Sequence, residues 1–129
     1  MGVKETKILI VDDEEDILLY LATLFEDYGY TTVTAQDGEN GYRVAQEVKP
    51  DLITLDIAMP EQSGIKTYRS YKRNPQLQHI PVIVITGVGE KTEGYFKKLG
   101  DCPLPEGIID KPIDPADLLH KVERLLKED

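Results

Sequence analysis

Three runs of consecutive aliphatic and β-branched residues stand out along the chain, Ile8-Leu9-Ile10-Val11, Leu52-Ile53-Thr54-Leu55 and Val82-Ile83-Val84-Ile85. Apolar runs without alternation are the mark of strands covered on both faces, as in a parallel sheet. Two weaker segments, Thr31 to Ala35 and Ile108-Ile109, complete a set of five. Between them the apolar period lengthens to three or four. Ile17, Leu21, Leu24, Phe25 and Tyr28 predict a first helix closed by Gly29, and Asp37-Gly38 predicts a turn before a second helix through Tyr42, Ala45 and Val48 that ends ahead of Pro50. A polar helix is expected from Ser63 to Arg73, stopped by Asn74-Pro75. Tyr95, Phe96 and Leu99 give a weaker helical signal over 90–99, and Cys102 to Gly107 reads as a loop. Leu118, Val122, Leu125 and Leu126 predict a terminal helix with Asp114 as N-cap and Pro115 in its first position. Strand and helix alternate throughout, which predicts a (βα)5 α/β fold with right-handed crossovers and helices on both faces of one parallel sheet.

With 129 residues the chain is expected to be one domain over 1–129, with no output domain of its own. Its 24 acidic against 15 basic residues give a net charge of -9, the wrong sign for broad binding to nucleic acid or to an anionic membrane. A single cysteine, Cys102, allows no internal disulfide, and neither a secretion signal nor an apolar run of spanning length is present. A cytoplasmic protein is expected.

In an open parallel sheet, ligands bind beyond the carboxyl ends of the strands, where the strand order reverses. Asp12 and Asp13 follow the first strand, Asp56 ends the third, Thr86 the fourth, and Lys111-Pro112 follows the fifth. In the five-strand order 2-1-3-4-5, the first and third strands are neighbours and three carboxylates converge. Like charges so close disfavour joint ionisation unless a cation joins them. Oxygen ligands with no histidine or cysteine beside them suit Mg2+. A carboxylate flanked by a divalent cation, a lysine and a hydroxyl is what acyl phosphate formation requires, and Asp56, the lone acid at a strand end, is the expected nucleophile.

Asp12-Asp13, Asp56-Ile57-Ala58-Met59-Pro60 with Gly64, Ile85-Thr86 and Lys111-Pro112 together resemble the receiver domain of two-component response regulators, over about Lys7 to Leu126. The resemblance implies a flavodoxin-like three-layer sandwich and a switch that takes a phosphoryl group from a histidine kinase or a histidine phosphotransfer protein and then binds a downstream protein effector. It implies Asp56 as phosphoacceptor, Mg2+ held by Asp12, Asp13, Asp56 and the backbone carbonyl of Ala58, phosphoryl oxygens bound by Thr86 and Lys111, and a cis Lys111-Pro112 bond. Such a domain catalyses only its own phosphoryl transfer and dephosphorylation. Three features depart from the family: Ile108 where an aromatic residue is common, a somewhat long Thr86 to Lys111 segment with its proline-rich loop, and Gly87 after the threonine. They bear on the signalling face. The competing reading is a receiver-like interaction scaffold not regulated by phosphorylation.

Other chemistries fit less well. A flavin-binding loop after the first strand would meet the acids Asp12 to Asp16, which repel phosphate. A haloacid-dehalogenase-like phosphatase needs a second acid two residues beyond its nucleophile, where this chain has Ala58. Glu14 to Asp16 read as an acidic first helical turn, and Lys66, Arg69, Lys72 and Arg73 as a solvated helix face. His79 and His120 lack partners that would make either one a ligand or a phosphodonor.

Overall fold

The computed structural model describes residues 5–57, 63–87 and 103–127. Five strands, β1 (Lys7–Val11), β2 (Thr31–Ala35), β3 (Leu52–Asp56), β4 (Val82–Thr86) and β5 (Gly107–Asp110), form one sheet in the order β2-β1-β3-β4-β5. All four pairings are parallel. The helices are α1 (Glu15–Asp27), α2 (Gly38–Val48), α3 (Ser63–Arg73) and α4 (Pro115–Lys127). The fold is the three-layer sandwich expected from the alternation of patterns. The weak helical signal over 90–99 lies outside the described residues.

Strand residues alternate between two cores. Ile8, Ile10, Leu52, Ile83 and Ile85 pack with Leu21 and Phe25 of α1 and Leu118 and Val122 of α4. Leu9, Val11, Ile53, Leu55 and Val84 pack with Ala45 of α2 and Tyr68 and Tyr71 of α3. β3 and β4 are buried along their whole length, which is why their sequences show no alternation.

Local chemistry sets the helix ends. Asp114 Oδ1 accepts from the N–H groups of Ala116 and Asp117 at 3.0 and 3.4 Å, the expected cap of α4. Gly29 after α1 has φ +90°, a left-handed conformation that glycine adopts without strain. Asp37-Gly38 is more than the turn the sequence suggests: Asp37 Oδ1 accepts from Asn40 N at 2.7 Å as the N-cap, and Gly38 already opens α2.

The expectation of a solvated basic face on α3 needs correction. Lys72 is buried, its Nζ donating to the carbonyls of Gln78 and Ile80 at 3.3 and 3.2 Å and to both carboxylate oxygens of Glu106 at 3.2 Å. Glu106 Oε1 also accepts from Val82 N at 2.8 Å, so one ion pair ties α3 to the starts of β4 and β5. Tyr68 donates its hydroxyl to Pro103 O. Tyr68 and Tyr71 are fully buried, and Thr67 and Lys72 are buried beside them, so the covered side of α3 carries polar groups of its own.

Candidate functional site

The candidate residues sit at the carboxyl rim of the sheet, with Asp12, Asp56, Thr86 and Lys111 fixed by backbone pairing. Asp12 N donates to Ala35 O at 3.1 Å, Ile57 N to Ile85 O at 3.2 Å, and Lys111 N to Thr86 O at 2.8 Å. Asp56 pairs with Ile85, and Thr86 with Asp110, so β1, β3, β4 and β5 end together. Asp12, Asp56 and Thr86 are buried, Asp13 is exposed and Lys111 half-buried.

The structure brings the three acids together: one carboxylate oxygen from each of Asp12, Asp13 and Asp56 lies within 4.8 Å of the others. On the far side of Asp56, Lys111 Nζ stands 3.5 Å from Oδ2. The Lys111-Pro112 peptide is cis. Thr86 occupies the neighbouring strand end, one residue past the partner of Asp56. Ala58, whose carbonyl the resemblance makes a further ligand, lies outside the described residues.

Asp12 shows the electrostatic state of the cluster. Its Oδ1 accepts from Glu14 N at 2.9 Å, while its buried Oδ2 has no hydrogen-bond partner among the described residues. Burial is the main cause that pushes its pKa up to about 6, with the negative charges of Asp56 and Asp13 adding to it and the Glu14 N–H and Lys111 opposing. A buried anionic oxygen without a partner, facing two more carboxylates, fits a small hard cation with oxygen ligands.

This strain gives a measurable sign. A carboxyl whose folded pKa lies above its unfolded value near 3.8 binds more protons when folded between about pH 4 and 6, so its contribution to stability falls as pH rises through that window. Asp12→Asn keeps an Oδ1 acceptor for Glu14 N and removes the charge. In metal-free buffer the variant should gain about 2 kcal/mol over the parent at pH 7 and little at pH 4. Saturating Mg2+ should stabilise the parent more than the variant. Urea titrations at both pH values check this; a variant less stable than the parent at pH 7 would refute the strained-carboxylate account.

One tight contact holds the rim from below. A Cβ on Gly64, at the start of α3, would lie 2.3 Å from Ile57 Cα and 2.6 Å from Asp56 O. Only a glycine lets α3 approach the strand end that carries Asp56. Ile108, where the family commonly has an aromatic ring, is half-buried on β5 and pairs with Val84.

The model of the response regulator receiver domain family matches residues 8–123. The chain belongs to this family. Among its relatives, the alkaline phosphatase synthesis transcriptional regulatory protein PhoP of Bacillus subtilis is 34% identical over 94% of this chain, which spans only 48% of that protein. The polar-differentiation response regulator DivK of Brucella anthropi is 33% identical over 92% of this chain and 94% of its own. The solved signal receiver domain of a signal transduction histidine kinase from Syntrophus aciditrophicus superposes with a TM-score of 0.81 at 33% identity, covering 94% of this chain and 89% of that one. Receiver domains are signalling switches rather than enzymes acting on an external substrate, and they bind Mg2+ at an acidic pocket. Among the described residues no helix is long and apolar enough to cross a membrane.

Proposed function

We propose that this receiver accepts a phosphoryl group on Asp56 in a Mg2+-dependent reaction, from a histidine kinase or a histidine phosphotransfer protein, and that the modified form binds a downstream protein partner. The observation that carries this is Asp56 itself, buried at a strand end between a cluster of acids and the ammonium group of Lys111. Its carboxylate oxygen attacks phosphorus as the P–N bond of a phosphorylated imidazole breaks, leaving an aspartyl phosphate.

Asp12, Asp13 and Asp56 would hold the cation, with the Ala58 carbonyl as a further ligand. Bound there, Mg2+ supplies positive charge against the carboxylates and the incoming phosphoryl oxygens. Lys111 supplies a second positive charge from the β5 side, and Thr86 a hydroxyl donor at the end of β4. Both roles are electrostatic, in keeping with a transfer that depends on positioning more than on covalent chemistry.

Incubation with acetyl phosphate and Mg2+ should add one phosphoryl group, labile to base, that mass spectrometry locates on Asp56. Asp56→Asn should abolish it. Chelating the metal should slow labelling of the parent by about 100-fold or more. A label on another residue, or labelling unchanged in Asp56→Asn, would overturn the assignment and favour an unphosphorylated scaffold.

A further inference from the structure

The two edges of the sheet are not alike. β5 is short and lies between Pro105 and Pro112, features that blunt an edge against further pairing. β2, with the sequence Thr31-Thr32-Val33-Thr34-Ala35, has neither proline nor charge, and its residues favour extended structure. In a parallel strand, successive residues turn their backbone groups to opposite sides. Thr31 N donates to Thr6 O and Ala35 O accepts from Asp12 N, so residues 31, 33 and 35 face β1. The N–H and C=O of Thr32 and Thr34 therefore face outward, where no strand of the described residues pairs with them.

That edge runs between two clefts. One, of about 590 Å3, lies on the α1 side, where Thr32 and Thr34 meet Leu19, Ala22 and the acids Glu15, Asp16 and Glu26. Among the described residues no lysine or arginine lines it, and Leu19 is 68% exposed. The other, of about 270 Å3, lies on the α2 side by Asn40, Arg43 and Val44. Thr34 and Gln36 line both.

We propose that the outer edge of β2 is a docking site for an extended, basic segment of a partner protein, which adds to the sheet as a sixth strand. Side chains of an added strand alternate between faces. Every second one enters the α1-side cleft, where lysine or arginine meets the carboxylates and an aliphatic residue covers Leu19. The intervening ones enter the smaller cleft and are small and polar.

Charge also argues against a second copy of this chain as the occupant. A two-fold pairing of β2 edges would set the acidic α1 cleft of each copy beside that of the other. It would bring no cation to either, in a chain of net charge -9.

The test uses metal-free, unphosphorylated protein, so its result stands apart from that of the phosphorylation experiment. The probe is a blocked peptide alternating lysine or valine with serine. Binding should slow amide exchange at Thr32 and Thr34 more than at any other strand residue. Thr34→Pro removes an outward N–H and no internal ladder bond, a change that edge strands tolerate, and should weaken binding about tenfold. Glu15→Lys, on an exposed side chain, should weaken the lysine peptide but not its all-serine-and-valine analogue. No slowing at Thr32 and Thr34 at millimolar peptide, or binding indifferent to both variants, would overturn the proposal. So would sedimentation showing a dimer that Thr34→Pro dissociates, because the edge would then belong to a second copy.

Discussion

Glu106→Ala is expected to destabilise this receiver by about 3 kcal/mol, although Glu106 lies at the opposite end of the sheet from the acids. The loss has two parts. Lys72, whose side chain is 2% exposed, would keep its charge with only carbonyl partners, and Val82 N would lose its acceptor. Glu106 is 34% exposed, which places the cost at the lower end of the range for breaking a buried ion pair. Lys72→Met should cost less, about 1 kcal/mol, since the charge leaves along with its desolvation penalty and Glu106 still serves Val82. For a chain of this size the first variant should melt about 10 °C lower. Urea unfolding of both variants checks the order, and equal losses would show that the buried charge does not decide the energetics.

Gly64→Ala should have an effect of similar size with an added consequence at the rim. The new methyl group meets backbone, Ile57 Cα and Asp56 O, which cannot rotate away as a side chain tip would. Either α3 retreats, opening the packing of Tyr68 and Tyr71, or the end of β3 shifts and carries Asp56 with it. Overpacking of this kind costs about 1–3 kcal/mol, and backbone neighbours put it at the upper end. Phosphorylation by acetyl phosphate should slow together with the loss of stability. A variant as stable as the parent and labelled at the same rate would mean that α3 moves freely against the strand.

These two sites differ in how far the sequence discloses them. Gly64 stands within the motif that marks the family. The three inner strands are equally plain, because burial on both faces leaves unbroken apolar runs such as Val82 to Ile85. The positions of Asp12, Asp56 and Thr86 at strand ends follow from the same runs, and that of Lys111 from the weaker Ile108-Ile109 segment.

Lys72 was not legible in this way. A lysine on a helix rich in polar residues reads as solvent-facing, and its burial depends on a glutamate 34 residues later in the chain and on two carbonyls of the connection to β4. Gly64, Tyr68, Tyr71 and Lys72 do lie on one helical stripe, a signal that could have marked this side of α3 as covered. The outward groups of β2 depend on strand register, which side-chain pattern does not report.

The backbone bonds that pin Asp12, Ile57 and Lys111 to neighbouring strands have a consequence for how this molecule can change. They are made by main-chain atoms, so they do not depend on which side chain, proline apart, stands at those positions. Reactivity and assembly are thereby assigned to opposite ends of one sheet. At the carboxyl end, the side chains of the reacting groups can be exchanged and the chemistry altered while these bonds persist, Gly64 being the exception because its contact is with backbone. At the amino end, where the side chains of Lys72 and Glu106 pair with each other and tie α3 to main-chain groups leading into β4, a single exchange disturbs the architecture and leaves the reacting groups in place.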